Sequence, residues 1–250
     1  LMAAWLPRGT TVLEPAPTEP EVIDLADFLN SLGAKVSGAG TRRITIEGVE
    51  QLGGSEHTVI PDRIEAGTFI AAAALAGDGV RIRRVKQKHV TAITDSLAEA
   101  GHRVEFDATG ETCTVHRGDT PCGCNITTAP YPSFPTDMQA QMTALLATSP
   151  GISVIKDTIF PQRFMHVAEL KRMGANIKVD NGTAIVHGVK KLSAAPVMAS
   201  DLRASAALVL AALTATGTTE INRLYHIDRG YEHIDEKLLA LGAAVERVRG

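Results

Sequence analysis

One carboxylate and four arginines stand where their types and neighbours allow anion and proton chemistry. The carboxylate is Asp137, within residues 131–141, YPSFPTDMQAQ. Pro135 disfavours helix at Phe134 and Thr136 is a favourable N-cap residue, so the sequence predicts a helix start with Asp137 in its first turn. The helix dipole there favours an ionised carboxylate. Such a group can serve the turn or accept a proton, and residue type alone leaves both open. Arg203 lies two residues after Asp201 in the first turn of another predicted helix, and Arg63 directly follows Asp62. A cation opposes the dipole at that place, which an anion bound at the helix start would offset; a local ion pair with the neighbouring aspartate is the equal alternative. Arg163, in IFPQRFMH, and Arg229, in YHIDRGY, fall in corresponding loops one unit apart. Guanidinium forks match carboxylate and phosphate oxygens.

The histidines carry less information. His166 and His226 can be ligands or bases or can simply belong to their loops, and the other six show no metal-ligand spacing. Cys113, Cys122 and Cys124 also lack zinc spacing and read as free thiols on a loop or strand end. No metal or organic cofactor is expected.

At 250 residues the chain suffices for one large domain or two modest ones. It is 44% hydrophobic and 21% charged, enough to bury a core. A net charge of -3 with 4% aromatics argues against a nucleic-acid surface. The apolar runs 69–76 and 204–212 are too short to span a bilayer. An odd cysteine count without a secretory leader points to a reducing compartment. The sequence opens at Leu1 in mid-pattern and reads as a piece of something longer.

These residues are carried by a repeated unit. A glycine-led strand pattern recurs at 9–13, 79–82, 151–155 and 217–221. An amphipathic helix follows each time, with apolar stripes Val22/Leu25/Leu29/Leu32, Val90/Ile93/Leu97, Val167/Leu170/Met173 and Ile234/Leu238/Leu241. Each closes on a glycine: Gly33, Gly101, Gly174 and Gly242. Further strands are expected at 43–46, 113–116 and 184–187. Second helices, apolar nearly all round and hence central, are predicted from Asp62, Asp137 and Asp201. Three α/β units around an internal helix core would thus form a domain over 61–250, with 1–60 the last unit of a preceding one.

Six segments, ITIEGVEQLGG, PDRIEAGTF, FPTDMQAQ, TIFPQRFMHVAELKRMGA, DLRASAALVLA and YHIDRGYEHIDEKL, run in order along nearly the whole chain. On them the chain resembles the enolpyruvyl transferase family, on the side that acts on UDP-N-acetylglucosamine. The resemblance implies an α/β (α+β) fold of inside-out barrel type, with repeated βα units around buried central helices and an active site between two domains. The second domain here would lack its N-terminal strand. The implied reaction moves the enolpyruvyl group of phosphoenolpyruvate to the sugar 3-hydroxyl and releases phosphate. It opens peptidoglycan synthesis, in the cytoplasm. By the same resemblance Asp137 is the base at the acceptor hydroxyl and Ile159 lines the nucleotide-sugar site. Arg163 and Arg203 hold the enolpyruvyl carboxylate, and Arg229 holds the phosphate. Arg63 lies near the hinge, with a lesser role. The family's Lys-Asn pair, loop cysteine and loop arginine are not in this sequence, and none of Cys113, Cys122 or Cys124 stands in the matching context. The 250 residues alone are therefore expected to be inactive. Alternatives are a shikimate-pathway enolpyruvyl transferase, a non-catalytic nucleotide-sugar-binding paralogue, and a structural α/β repeat protein. The sequence does not fix an oligomeric state.

Overall fold

The computed structural model describes residues 1–248. The chain divides into two compact units: Leu1–Pro61 with Pro130–Ser133, and Asp62–Ala129 with the chain from Phe134 on. The stretch 131–141 is thus shared out, its first three residues going with the first unit.

The first unit is one turn of the repeat. It contains β1 (Thr10–Leu13), α1 (Pro20–Ser31), β2 (Lys35–Ser37) and β3 (Ile44–Glu47). Strand order is β1-β3-β2 with both pairings antiparallel, placing Val12 opposite Thr45 and Val36 opposite Ile46. Pro20 opens α1, where its missing N–H costs nothing. Gly33 ends it at φ +102°, a conformation that a side chain resists. Ala26, Leu29, Ala34, Val36, Ile44 and Ile46 form the core.

The second unit repeats this pattern around a helical centre. In chain order come α2 (Arg63–Ala76), β4 (Val80–Arg83), α3 (Gln87–Glu99), β5 (Arg103–Phe106), β6 (Thr112–His116) and β7 (Ile126–Thr128). Next are a 3-10 turn (Thr136–Met138), α4 (Gln139–Leu146), β8 (Ile152–Asp157), α5 (Met165–Arg172), β9 (Asn176–Asp180), β10 (Thr183–His187) and β11 (Pro196–Met198). The last are α6 (Leu202–Thr214), β12 (Glu220–Asn222), α7 (Tyr225–Asp228) and α8 (Ile234–Ala240). Sheet orders are β4-β6-β5, β7-β8-β10-β9 and β11-β12, so the third strand of a repeat again lies between the first two. Among the described residues the strands do not close into a barrel.

Helices α2, α4 and α6 pack on one another as the sequence predicts for helices without a polar face. Every residue of α4 is buried, as are Ile64, Ile70–Leu75 and Ala204–Leu208 on its neighbours. The outer helices bury the predicted stripes: Val90, Ile93 and Leu97 on α3, and Val167 and Leu170 on α5 with Met173 just beyond it. Cutting one of these larger side chains to alanine costs about 2–5 kcal/mol. The fourth stripe is only partly realised. Ile234 and Leu238 are buried, but Leu241 is 56% exposed, because α8 ends at Ala240 and residues 243–248 form no strand to cover it. Gly101, Gly174 and Gly242 repeat the positive φ of Gly33.

Candidate active site

The three central helices begin differently, although an aspartate stands near the start of each. Asp62 accepts from the Ile64 and Glu65 N–H groups, and Asp201 from those of Arg203 and Ala204. Both are N-caps. Asp137 is not. The expected cap Thr136 does not cap either; its Oγ1 donates to Asp157 Oδ2 at 2.7 Å. A 3-10 turn closed by Met138 N–H on the Pro135 carbonyl precedes α4, which begins two residues after Asp137. The Asp137 carboxylate is thereby released from capping.

It meets two arginines instead. Arg163 Nη1 donates to Asp137 Oδ1 at 2.6 Å, and Arg203 Nη2 donates to Oδ2 at 3.0 Å. Burial alone would raise this carboxyl, but the Arg203 and Arg163 charges outweigh it and hold Asp137 below the usual carboxylate range. Burial likewise disfavours the Arg203 charge, and the Tyr231 hydroxyl and Asp137 reverse that, leaving its pKa raised. Two guanidiniums thus share the Asp137 carboxylate, while the Asp201 carboxylate, also at the cleft, accepts the first N–H groups of α6.

The Arg163 loop is built by a residue that sequence reasoning passed over. Asp157, 2% exposed at the end of β8, accepts on Oδ1 from Thr128 Oγ1 at 2.8 Å, Ile159 N–H at 2.9 Å and Phe160 N–H at 2.8 Å. Its Oδ2 takes the Thr136 hydroxyl. One buried carboxylate therefore fastens both the turn bearing Asp137 and the loop bearing Ile159 and Arg163. Its only signal in the sequence is an acidic residue ending an apolar strand before a loop.

An open cleft of about 740 Å³ lies over this cluster, lined by Asp137, Ile159, Phe160, Arg163, Met165 and Asp201 among others. Phe160 and Met165 are 54% and 51% exposed and form an apolar lip beside the charged pair. Arg203 stands behind Asp137, its side chain only 12% exposed. The predicted residues Asp137, Ile159, Arg163 and Arg203 are thus brought together. Arg229 is apart from them. It is exposed and lines a second cavity of about 700 Å³ with Asp228, Glu232 and Asp235. Arg63 opens α2, half-buried, away from the lining of either cavity.

His166 is fully buried in α5, and burial pushes its pKa down to about 4, so it is a neutral packing residue. Cys113 lies within β6 and burial pushes its thiol up to about 11; that of Cys124 is pushed up to about 12. Both are poor nucleophiles at neutral pH. No cluster of His, Cys, Asp and Glu able to hold a metal occurs among the described residues. No described helix is long and apolar enough to cross a membrane.

Repeated α/β units around buried helices, with a cleft holding paired arginine and aspartate side chains at the helix starts, define the fold of the enolpyruvyl transferases. The enolpyruvyl transferase NikO from Streptomyces tendae superposes with a TM-score of 0.85 at 31% identity, over 97% of this chain and 58% of that one. EPSP synthase from Acinetobacter baumannii gives 0.72 at 21% identity, over 100% and 60%, a likeness of fold alone. The family model for EPSP synthase (3-phosphoshikimate 1-carboxyvinyltransferase) matches residues 1–238, and the chain belongs to that family. Two proteins named UDP-N-acetylglucosamine 1-carboxyvinyltransferase are closer in sequence. That of Akkermansia muciniphila is 72% identical over 99% of this chain, and that of Cronobacter sakazakii 54% identical over 100%. The chain spans 58% and 59% of their lengths.

Proposed function

We propose that the protein carrying this chain transfers the enolpyruvyl group of phosphoenolpyruvate to the 3-hydroxyl of UDP-N-acetylglucosamine and releases phosphate. The observation that carries this reading is the Asp137 carboxylate held between Arg163 and Arg203 at the wall of an open cleft. The names of the two high-identity relatives supply the substrates. The same reading places the reaction at the entry to peptidoglycan synthesis, in the cytoplasm, and so in cell-wall growth, cell shape and division.

The local chemistry supports distinct roles. In the free site Asp137 is ionised but weakly basic, because both guanidiniums stabilise its charge. The donor's carboxylate competes for those same guanidiniums, which suit a planar anion. As the arginines turn to the donor, Asp137 loses the charges that lower its pKa while keeping the burial that raises it. Donor binding thus makes the base stronger. Asp137 then takes the proton of the sugar 3-hydroxyl as the hydroxyl oxygen bonds to C2 of phosphoenolpyruvate, the C2–C3 double bond opening as C3 takes up a proton from solvent. Phosphate leaves the resulting tetrahedral carbon as C3 gives a proton back, which restores the double bond in the enolpyruvyl product. Ile159, on the apolar lip, lines the nucleotide-sugar site. Arg229, exposed and without an ion-pair partner among the described residues, is available for the phosphate. The 61–250 segment serves as one domain of this enzyme and 1–60 as part of another. The 250 residues alone are expected not to turn over, since the Lys-Asn pair, cysteine and arginine that the resemblance implies are not among them.

The test is phosphate release from phosphoenolpyruvate plus UDP-N-acetylglucosamine by the protein at its natural length, its Asp137→Ala variant and the 250-residue chain. A general base contributes about 10²–10⁴-fold, so the variant should lose that much in kcat. An active Asp137→Ala variant would overturn the assignment of the base. A natural-length protein that binds the nucleotide sugar but releases no phosphate would overturn the enzyme reading.

A further inference from the structure

Arg203 is held on two sides. Nη2 faces Asp137, while Nη1 donates to the Tyr231 hydroxyl at 3.3 Å, with the guanidinium carbon 5.7 Å from the Tyr231 ring centre. Tyr231 is 1% exposed and bonds to two of the central helices: its oxygen is 2.8 Å from Thr68 Oγ1 on α2 and 3.3 Å from Gln141 Nε2 on α4. Arg203 adds the third, α6. Thr68 and Gln141 are themselves buried, and Gln141 Nε2 also donates to Thr68 Oγ1 at 3.0 Å.

The hydrogens in this cluster can be assigned. A guanidinium has donors only, so the phenol oxygen must accept from Arg203. The Thr68 hydroxyl has one hydrogen, and it goes to the Ile64 carbonyl at 2.8 Å, one helical turn back. The Tyr231 hydrogen therefore goes to Thr68, and the phenol's lone pairs are turned towards Arg203. Thr68 sets the direction of the hydroxyl, and the hydroxyl sets the guanidinium.

We propose that Tyr231, oriented by Thr68, is a positioning residue that keeps the Arg203 guanidinium aimed into the anion site without neutralising it. This rests on the functional reading above, in which Arg203 takes the donor's carboxylate. The two anchors differ in that respect. Asp137 cancels charge and must give way to an incoming anion. Tyr231 is uncharged and bonds a different nitrogen, so it remains in place when Asp137 is displaced. Arg203 is then already ordered when the donor arrives, and less side-chain freedom is lost on binding.

The experiment uses Tyr231→Phe in the natural-length protein, with Thr68→Val as a second variant that removes the acceptor for the phenol hydrogen. Tyr231→Phe keeps the buried ring, and thermal unfolding checks that both variants fold. Two readouts are made. One is the NMR exchange of the Arg203 Nη groups, which reports rotation of the guanidinium without any ligand. The other is calorimetric affinity for phosphoenolpyruvate, beside the KM for each substrate. Loss of a hydrogen bond to a charged group predicts roughly 10–100-fold weaker phosphoenolpyruvate binding in Tyr231→Phe. The nucleotide-sugar KM should hardly move, and Arg203 should rotate faster in both variants. A role in packing alone would change thermal stability but neither the rotation nor the donor-specific KM. Unchanged rotation in Tyr231→Phe overturns the proposal, and so does faster rotation with unchanged donor affinity. If the unsubstituted protein binds no phosphoenolpyruvate, the functional reading fails, and the rotation measurement still decides whether Tyr231 positions Arg203.

Discussion

Replacing Asp157 by alanine removes one buried carboxylate and four hydrogen bonds together: those from Thr128, Ile159, Phe160 and Thr136. Hydrogen bonds to a charged acceptor contribute about 1.5–3 kcal/mol each, which gives a nominal total of about 6–12 kcal/mol. Not all of it is lost. The Ile159 and Phe160 amides lie on a loop with solvent access and can turn to water, and Thr136 is only half-buried. Thr128 is 0% exposed, and Asp157 Oδ1 is the one acceptor its hydroxyl hydrogen has among the described residues. The net expectation is a loss of about 3–5 kcal/mol, placing Asp157→Ala among the severe substitutions. Asp157→Asn keeps one acceptor oxygen and should cost about 1–2 kcal/mol. Urea unfolding monitored on the second unit measures both. Hydrogen exchange at Ile159 and Phe160 tests the mechanism, since these amides should lose protection in the alanine variant before the central helices do. A loss below about 1 kcal/mol for Asp157→Ala, or unchanged exchange at those two amides, would refute the account of how the loop is held.

Other expectations follow from the charges around the cleft. Removing one guanidinium by Arg203→Met should raise the Asp137 pKa, because burial is then less opposed; carbon NMR titration reads this, and an unchanged or lower value would contradict it. Since the folded Asp137 value is depressed, its contribution to stability is present above the ordinary carboxylate range and lost as pH falls through the folded value; that loss should shrink in Arg203→Met. His166 has a folded pKa of about 4 against 6.5, so between those values the unfolded chain binds the extra proton and stability falls as pH falls. The full effect is on the order of 3 kcal/mol, and His166→Gln should flatten the stability profile between pH 6.5 and 4 in urea titrations.

Much of the fold was legible because a local signal recurs. A glycine-led strand, an amphipathic helix, a C-cap glycine and two more strands appear in order, and the glycines adopt the positive φ that their places require. Central helices were legible from the lack of any polar face. What misled was the start of α4. Pro-Thr-Asp reads as a cap by local preference, yet the Thr136 hydroxyl is drawn to Asp157, 21 positions away. Long-range partners of this kind leave no local trace. Gln141 and Tyr231 stood inside recognisable segments, but only the folded chain brings Thr68, Gln141, Arg203 and Tyr231 to one point. Of the arginines, Arg163 and Arg203 converge on Asp137, while Arg229 sits in its own cavity, a separation that corresponding loop positions did not disclose.

The central claim is that an anion displaces Asp137 from its two arginines and thereby strengthens the base. The most direct measurement is the Asp137 carboxyl titration by carbon NMR in the natural-length protein, with and without saturating phosphoenolpyruvate. The account predicts a depressed pKa in the free protein and a rise on adding the donor, with no such rise in Arg163→Met/Arg203→Met. A carboxyl whose pKa stays low, or falls further, when the donor binds would contradict it.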